Sequence, residues 1–268
     1  MTPADGLPAR LAERIAAQRQ GAPLIVGVTG PQGSGKSTLA AQMPTALAAH
    51  GLGAAVLSLD DLYLTRAERQ RLAREVHPLL ATRGVPGTHD VALGAQVLAS
   101  LGRPGETLVP SFDKAADDRR PPDQWTRVNG PVDVIVFEGW CVGARPQPPR
   151  ALAAPVNDLE RDRDPDGVWR RHANDVLAGP YRALFDPIGF QALLLAPGFD
   201  VVLGWREQQE HELIARGGKG QSDAELAVFV QYYERLTRWM AEEMPARADA
   251  VARLDAKREV VELTGPAG

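Results

Sequence analysis

The sequence has a single cysteine, Cys141, and only four lysines among its 30 basic residues. One thiol can form neither an intrachain disulfide nor a thiolate metal cluster, which excludes a disulfide scaffold and suits the cytosol. Cys141 has no CxxC partner and no adjacent histidine, so it reads as a small buried residue. Long apolar runs are missing too: the stretches around Val132 to Phe137 and Leu193 to Ala196 fall far short of the roughly 20 residues that cross a bilayer. No membrane helix is expected. The N-terminal stretch carries Asp5, Glu13 and several arginines where a signal peptide would have an apolar core. Five scattered histidines form no H-E-x-x-H pattern, and there is no internal repeat, heptad series or acidic tail.

What is present is the balance of an ordinary globule, 44% hydrophobic and 24% charged over 268 residues. A formal charge of -4 gives no general attraction to polyanions, so a nucleic-acid partner is not expected. The five tryptophans have no recognition period and are expected to pack partly against the core rather than stack on nucleic-acid bases. Because arginine dominates the basic residues, each of Lys36, Lys114, Lys219 and Lys257 merits separate attention.

Strand and helix patterns alternate. Leu11 to Ala17 has helical spacing, Pro23 to Val28 reads as a buried strand, Ser37 to Ala49 as a helix and Ala54 to Leu59 as a second strand. Arg66 to Leu80 looks helical, and Val91 to Leu101 follows with Asp90 as its N-cap. Pro110 to Gly130 reads as loop, and Val132 to Phe137 as a third apolar strand ending at Glu138. Trp169, Asn174, Leu177, Tyr181 and Leu184 can share one helical side, and Phe199 to Leu203 reads as a strand. A helix over Arg206 to Ile214, a glycine break, a capping box at Ser222 and Glu225 opening a helix through Met240, and a final strand at Ala250 to Leu254 complete the chain. The pattern predicts an α/β class: one three-layer αβα domain over residues 1–268 with a mostly parallel sheet, insertions near 62–130 and a helical lid near 206–222.

The densest chemical signal is GPQGSGKS, Gly30 to Ser37, the complete G-x-x-x-x-G-K-[ST] pattern, flanked by a strand and a helix. Such a loop turns free backbone N–H groups toward phosphate oxygens. Gly30, Pro31, Gln32, Gly33, Ser34, Gly35, Lys36, Ser37 and Thr38 are therefore assigned to nucleotide binding. Lys36 is suited to the β and γ phosphates and Ser37 to their magnesium ion. ATP and Mg2+ are the expected cofactors, but the motif alone does not separate a small-molecule kinase from an ATPase, a GTPase or a nucleotide-driven assembly switch.

Acids at neighbouring strand ends supply that discrimination. Asp60, in SLDDLYLT, is placed to accept or orient an acceptor hydroxyl; a capping or magnesium-water role is the alternative for Asp60 and Asp61. Glu138 ends VIVFE as a magnesium-directed carboxylate would, with helix capping as the alternative. Tyr63, Arg83, His89, Asp90, Asp113 and Lys114 concentrate in turn-rich segments and are assigned to the acceptor pocket. There the cations would meet a carboxylate or phosphate and the acids would meet hydroxyls, with ordinary loop ionisation as the alternative. Arg206, read as following a strand, and Arg216 and Lys219 beyond it are assigned to a lid over the phosphates, with surface decoration as the alternative for the last two.

Taken in order, GPQGSGKST, SLDDLYLT, RGVPGTHD, PSFDKAADDR, VIVFEGW and WREQQE resemble the D-glycerate 3-kinase family, itself similar to pantothenate kinase, uridine kinase and phosphoribulokinase. The likeness runs from about Leu24 to Leu254. It implies a P-loop kinase fold, ATP-dependent transfer to the terminal hydroxyl of D-glycerate, Asp60 as base or acceptor orienter and Glu138 near magnesium. Leu62 and Val85 stand where many relatives have phenylalanine and a polar residue, which bears on pocket shape. Kinases of other small alcohols are the nearest alternative.

Overall fold

Strands covered on both faces read as unbroken apolar runs. VIVFE, and FQALLL, which the sequence reading did not place as a strand, each carry a single polar residue in an otherwise apolar run, and every residue of both is buried. A computed structural model describes residues 6–265 except Ala22, Arg216, Gly218 and Lys219. In chain order its elements are α1 (Leu7–Gln18), β1 (Leu24–Thr29), α2 (Lys36–Ala48), β2 (Ala54–Ser58), α3 (Arg66–Glu75) and α4 (Val91–Leu101). Next come β3 (Gly105–Val109), β4 (Phe112–Asp113), β5 (Asp118–Arg119), β6 (Thr126–Gly130) and β7 (Val134–Glu138). They are followed by α5 (Asp158–Arg163), α6 (Val168–Ala178), α7 (Arg182–Phe185), β8 (Phe190–Leu195), α8 (Asp200–Ala215), α9 (Asp223–Glu243), β9 (Ala250–Leu254) and β10 (Val260–Thr264).

Six strands form one sheet in the order β10-β9-β8-β1-β7-β2. All neighbours run parallel except β10, which is antiparallel to β9. Alternate residues serve opposite faces: Ile135 and Phe137 join the core beneath α4, α6, α7 and α9, whereas Val134 and Val136 join the core beneath α1, α2 and Trp205 of α8. The result is the expected αβα layering. Parallel strands bring the carboxyl ends of β1, β2, β7 and β8 to one edge, and the sequence order switches direction at β1, which lies between β7 and β8.

Several expected elements differ. Phe199 to Leu203 is not a strand: Pro197 and Gly198 turn the chain, α8 begins at Asp200, Val202 and Trp205 bury at helical spacing, and FQALLL is the strand that fits between β1 and β9. Pro78 has no N–H to continue a helix, so α3 stops at Glu75 and a 3₁₀ turn spans Pro78–Ala81. Gly179 and Pro180 break the helical stripe from Trp169 to Leu184 into α6 and α7. Pro110 to Gly130 is not all loop but contains the β4–β5 hairpin and β6, which pairs with β3. The chain also adds β10 after Ala250–Leu254. Asp133, just before β7, accepts hydrogen bonds from the Gly53 amide at 2.8 Å and Arg19 at 2.6 Å.

Local signals hold where capping chemistry decides. Asp90 accepts from the Leu93 amide to start α4, and Ser222 and Glu225 form the reciprocal box that starts α9. Trp140, Trp169 and Trp205 are buried, as is Cys141, whose thiol burial pushes up from its ordinary pKa. Among the described residues, no helix is long and apolar enough to cross a membrane.

Candidate active site

The phosphate-binding loop leaves β1 at Thr29 and enters α2 at Lys36. Gly35 occupies the left-handed region at φ 89° and caps α2 without a side-chain hydrogen bond. The first helical bond runs from the Leu39 amide to the Gly35 carbonyl, so the amides of Lys36, Ser37 and Thr38 face the loop as open donors. Gly33, at φ 79°, lies against α8, and a Cβ there would stand 2.6 Å from the Cβ of Trp205. That close approach packs α8 onto the loop. Arg258, just before β10, donates to the Gly33 carbonyl at 3.4 Å and lies over the Trp205 ring.

Glu138 ends β7 beside this loop. Its Oε1 accepts from Ser58 Oγ at 2.7 Å and Ser37 Oγ at 3.2 Å, while Oε2 is buried and has no hydrogen-bond partner. A carboxylate and a hydroxyl are hard oxygen donors, the set magnesium takes alongside nucleotide phosphates and water. The residues therefore fit Mg2+ held jointly with a nucleotide. Among the described residues, no group of three or more His, Cys, Asp or Glu side chains forms a cage of its own.

Asp60 leaves the end of β2 in a 3₁₀ turn, its amide bonded to Ser58 Oγ. Ser58 thus ties the acid after β2 to the acid of β7, a link that sequence reading missed although the serine stands at the strand end. Tyr63 Oη donates to Asp60 Oδ1 at 2.7 Å, and Lys114 Nζ donates to Oδ2 at 2.7 Å. Burial pushes the Asp60 carboxyl upward, but Lys114, Lys36 and these hydrogen bonds outweigh it and hold the group well below the usual carboxylate range. Asp60 is therefore ionised at neutral pH.

Lys114 arrives from the β4–β5 hairpin, which the 59–90 segment holds in place. Asp61 accepts from the Phe112 amide at 2.9 Å. Arg69, fully buried on α3, donates to the carbonyls of Leu64, Ala81 and Asp117 and pairs with the Asp117 carboxylate at 2.6 Å. Arg119 donates to the Tyr63 carbonyl. Neither Arg69 nor Asp117 was singled out by sequence: RAERQRLARE reads as an exposed helix, and its long-range partners leave no periodic signal.

The other expected residues divide. Arg83 lies over the Phe112 ring and pairs with Asp117, so its charge is engaged inside the loop cluster. Asp90 caps α4 and pairs with Arg119, and Asp113 accepts from the Ala115 and Ala116 amides and pairs with Arg120; both acids are engaged in holding their own turns. His89 is buried, its ring stacked 4.8 Å from Tyr63, and burial pulls its pKa down to about 3. It is therefore neutral, which corrects the expectation that it meets the acceptor as a cation. Arg206 follows no strand; it lies within α8, donates to buried Glu210 at 2.7 Å and covers the Phe229 ring of α9. Arg216 and Lys219 lie outside the described residues.

A parallel sheet, a phosphate loop at its switch point and two acids on adjacent strand ends define a P-loop phosphotransferase. A scan against models of known protein families finds no match. Over 225 residues the chain is 38% identical to an uncharacterized kinase of Schizosaccharomyces pombe, covering 80% of this chain and 79% of that one. It is 33% identical over 222 residues to the chloroplastic D-glycerate 3-kinase of Arabidopsis thaliana, covering 79% of this chain and 46% of that protein. Its structure superposes on D-glycerate 3-kinase from Cryptococcus neoformans var. grubii with a TM-score of 0.82 and 29% identity, covering 97% and 99% of the two chains. The chain belongs to the P-loop kinase family that contains D-glycerate 3-kinase, and it is an ATP-dependent kinase.

Proposed function

We propose that the chain transfers the γ-phosphoryl group of MgATP to the terminal hydroxyl of D-glycerate, giving 3-phosphoglycerate and ADP. The observation that carries this reading is the Asp60 carboxylate, held between Tyr63 Oη and Lys114 Nζ one strand away from Glu138, which in turn contacts Ser37. A carboxylate offers about four lone-pair positions, so Asp60 retains capacity to accept the acceptor's hydroxyl while keeping both partners. Lys114, with its side chain 61% exposed, presents its remaining N–H donors to the acceptor's carboxylate.

The open amides of the phosphate loop and Lys36 hold the nucleotide phosphates. Glu138 and Ser37 would hold magnesium, which neutralises phosphate charge when bound. Asp60 orients the hydroxyl in line with the phosphorus. As the new O–P bond forms and the bond to the β-phosphate oxygen breaks, the hydroxyl proton passes to Asp60. The transition state of such transfers is loose, so the proton moves late and a weakly basic carboxylate suffices.

The test is a panel of D-glycerate, L-glycerate, glycolate, pantothenate and uridine with ATP and magnesium, read by product mass and phosphate position. A product from D-glycerate alone, phosphorylated at its terminal oxygen, is the expected result. ATP hydrolysis with no phosphorylated acceptor would overturn the proposal in favour of a nucleotide-driven switch.

A further inference from the structure

We propose that His89, fixed as its Nε2–H tautomer by Tyr181, donates a hydrogen bond to an uncharged acceptor oxygen beside the reacting hydroxyl. With D-glycerate this is the 2-hydroxyl oxygen, an assignment that rests on the acceptor proposed above.

The tautomer follows from counting protons. The Gly87 amide donates to Tyr181 Oη at 2.8 Å, and burial keeps the phenol protonated by raising its pKa well above the ordinary value. Tyr181 has one hydroxyl hydrogen, and the acceptor within reach is His89 Nδ1 at 2.6 Å. A neutral imidazole whose Nδ1 accepts must carry its proton on Nε2.

That Nε2–H is buried, in a residue only 4% exposed, and has no hydrogen-bond partner. A buried donor left without a partner costs roughly 1–3 kcal/mol, so it calls for an acceptor. The two ring nitrogens face nearly opposite directions, so Nε2 lies on the side of the ring away from Tyr181. The ring stacks on Tyr63, whose hydroxyl holds Asp60, and the Asp60 carboxylate is close enough to act on the imidazole electrostatically. The proposed acceptor oxygen, next to the one held at Asp60, would meet this unpartnered Nε2–H. A neutral donor matches a neutral oxygen, while Lys114 supplies the positive charge a carboxylate requires.

Two measurements test this. A long-range 1H–15N spectrum of the imidazoles should show His89 as the neutral Nε2–H form from pH 5.5 to 8, and Tyr181→Phe should relax that preference. A protonated His89, or an Nδ1–H form, overturns the proposal whichever acceptor is used. In steady-state kinetics, His89→Phe keeps the aromatic stack and removes the donor. It should lower kcat/KM for D-glycerate roughly ten- to hundred-fold, with little change for 3-hydroxypropionate, which lacks the 2-hydroxyl, or in KM for ATP. His89→Gln, which returns an N–H donor, should recover part of the loss. Equal losses on both acceptors, or no loss on D-glycerate, overturn the role. Absence of any D-glycerate product from the wild-type protein instead overturns the acceptor assignment, separately from the tautomer.

Discussion

Asp60 combines two properties that single substitutions can separate: it is ionised, and it stands in the turn just after β2, close enough to Lys36 of the phosphate loop to feel its charge. Asp60→Asn preserves shape and removes charge, so kcat should fall roughly 10²- to 10⁴-fold with ATP affinity by calorimetry nearly unchanged; wild-type turnover would contradict its role. Lys114 helps hold the Asp60 pKa down, so Lys114→Met should move any acid limb of the kcat profile to higher pH, because Asp60 then gains its proton sooner. His89 has a stability consequence. Its pKa is about 3 in the fold and near 6.5 in the unfolded chain. Below about pH 6.5 the unfolded state binds the extra proton, so this contribution is intact above that pH and declines as pH falls toward 3, by at most about 1.4 kcal/mol per pH unit. Urea midpoints at pH 7 and 5 should therefore separate less in His89→Phe than in the wild type. The acids and lysines that take part were visible in the sequence because strand ends and motif spacing marked them. The neutrality of His89 was not, because burial and the Tyr181 contact come from distant chain segments.

At the scale of elements, the phosphate loop and the β4–β5 hairpin are held by unlike means. The loop depends on backbone conformation and close packing. Gly33→Ala places a Cβ in the left-handed region and against Trp205, so it should destabilise the protein by about 1–3 kcal/mol in urea unfolding and weaken ATP binding. The hairpin depends on Arg69. Removing this buried guanidinium in Arg69→Met leaves three carbonyls and Asp117 without it; a loss of about 3 kcal/mol and a higher acceptor KM are expected, since Lys114 rides on that hairpin. An unchanged acceptor KM in the folded variant would show that the hairpin's anchoring does not set Lys114. Capping residues and glycines announced many element boundaries, yet the strand placed at Phe199 to Leu203 proved to be the start of a helix from Asp200. A short, mostly apolar run such as FDVVL fits either state, and the neighbouring FQALLL filled the sheet position between β1 and β9.

At the scale of the whole molecule, the proposed nucleotide site lies at the sheet edge that β1, β2, β7 and β8 share, so a nucleotide bound there should stabilise these strands together. At 100 times its dissociation constant a ligand specific to the folded state adds about 2.7 kcal/mol. ATP with magnesium should therefore raise the thermal midpoint, and Glu138→Gln should remove the magnesium-dependent part of that rise while leaving the part due to ATP alone; an unaltered magnesium increment would remove Glu138 from metal binding. The amino-acid sequence by itself determined the αβα class, the phosphate loop and the acids at strand ends, because periodicity, glycine placement and strand-to-helix spacing are local properties of the chain. Only the tertiary structure decided that Lys114 meets Asp60, that Ser58 joins Asp60 to Glu138, that Arg83, Asp90 and Asp113 are engaged within their own loops, and that the His89 ring is buried against Tyr63 and Tyr181. Those outcomes depend on which side chains from distant segments are buried together, and pairing and protonation follow from that shared burial, which no local pattern encodes.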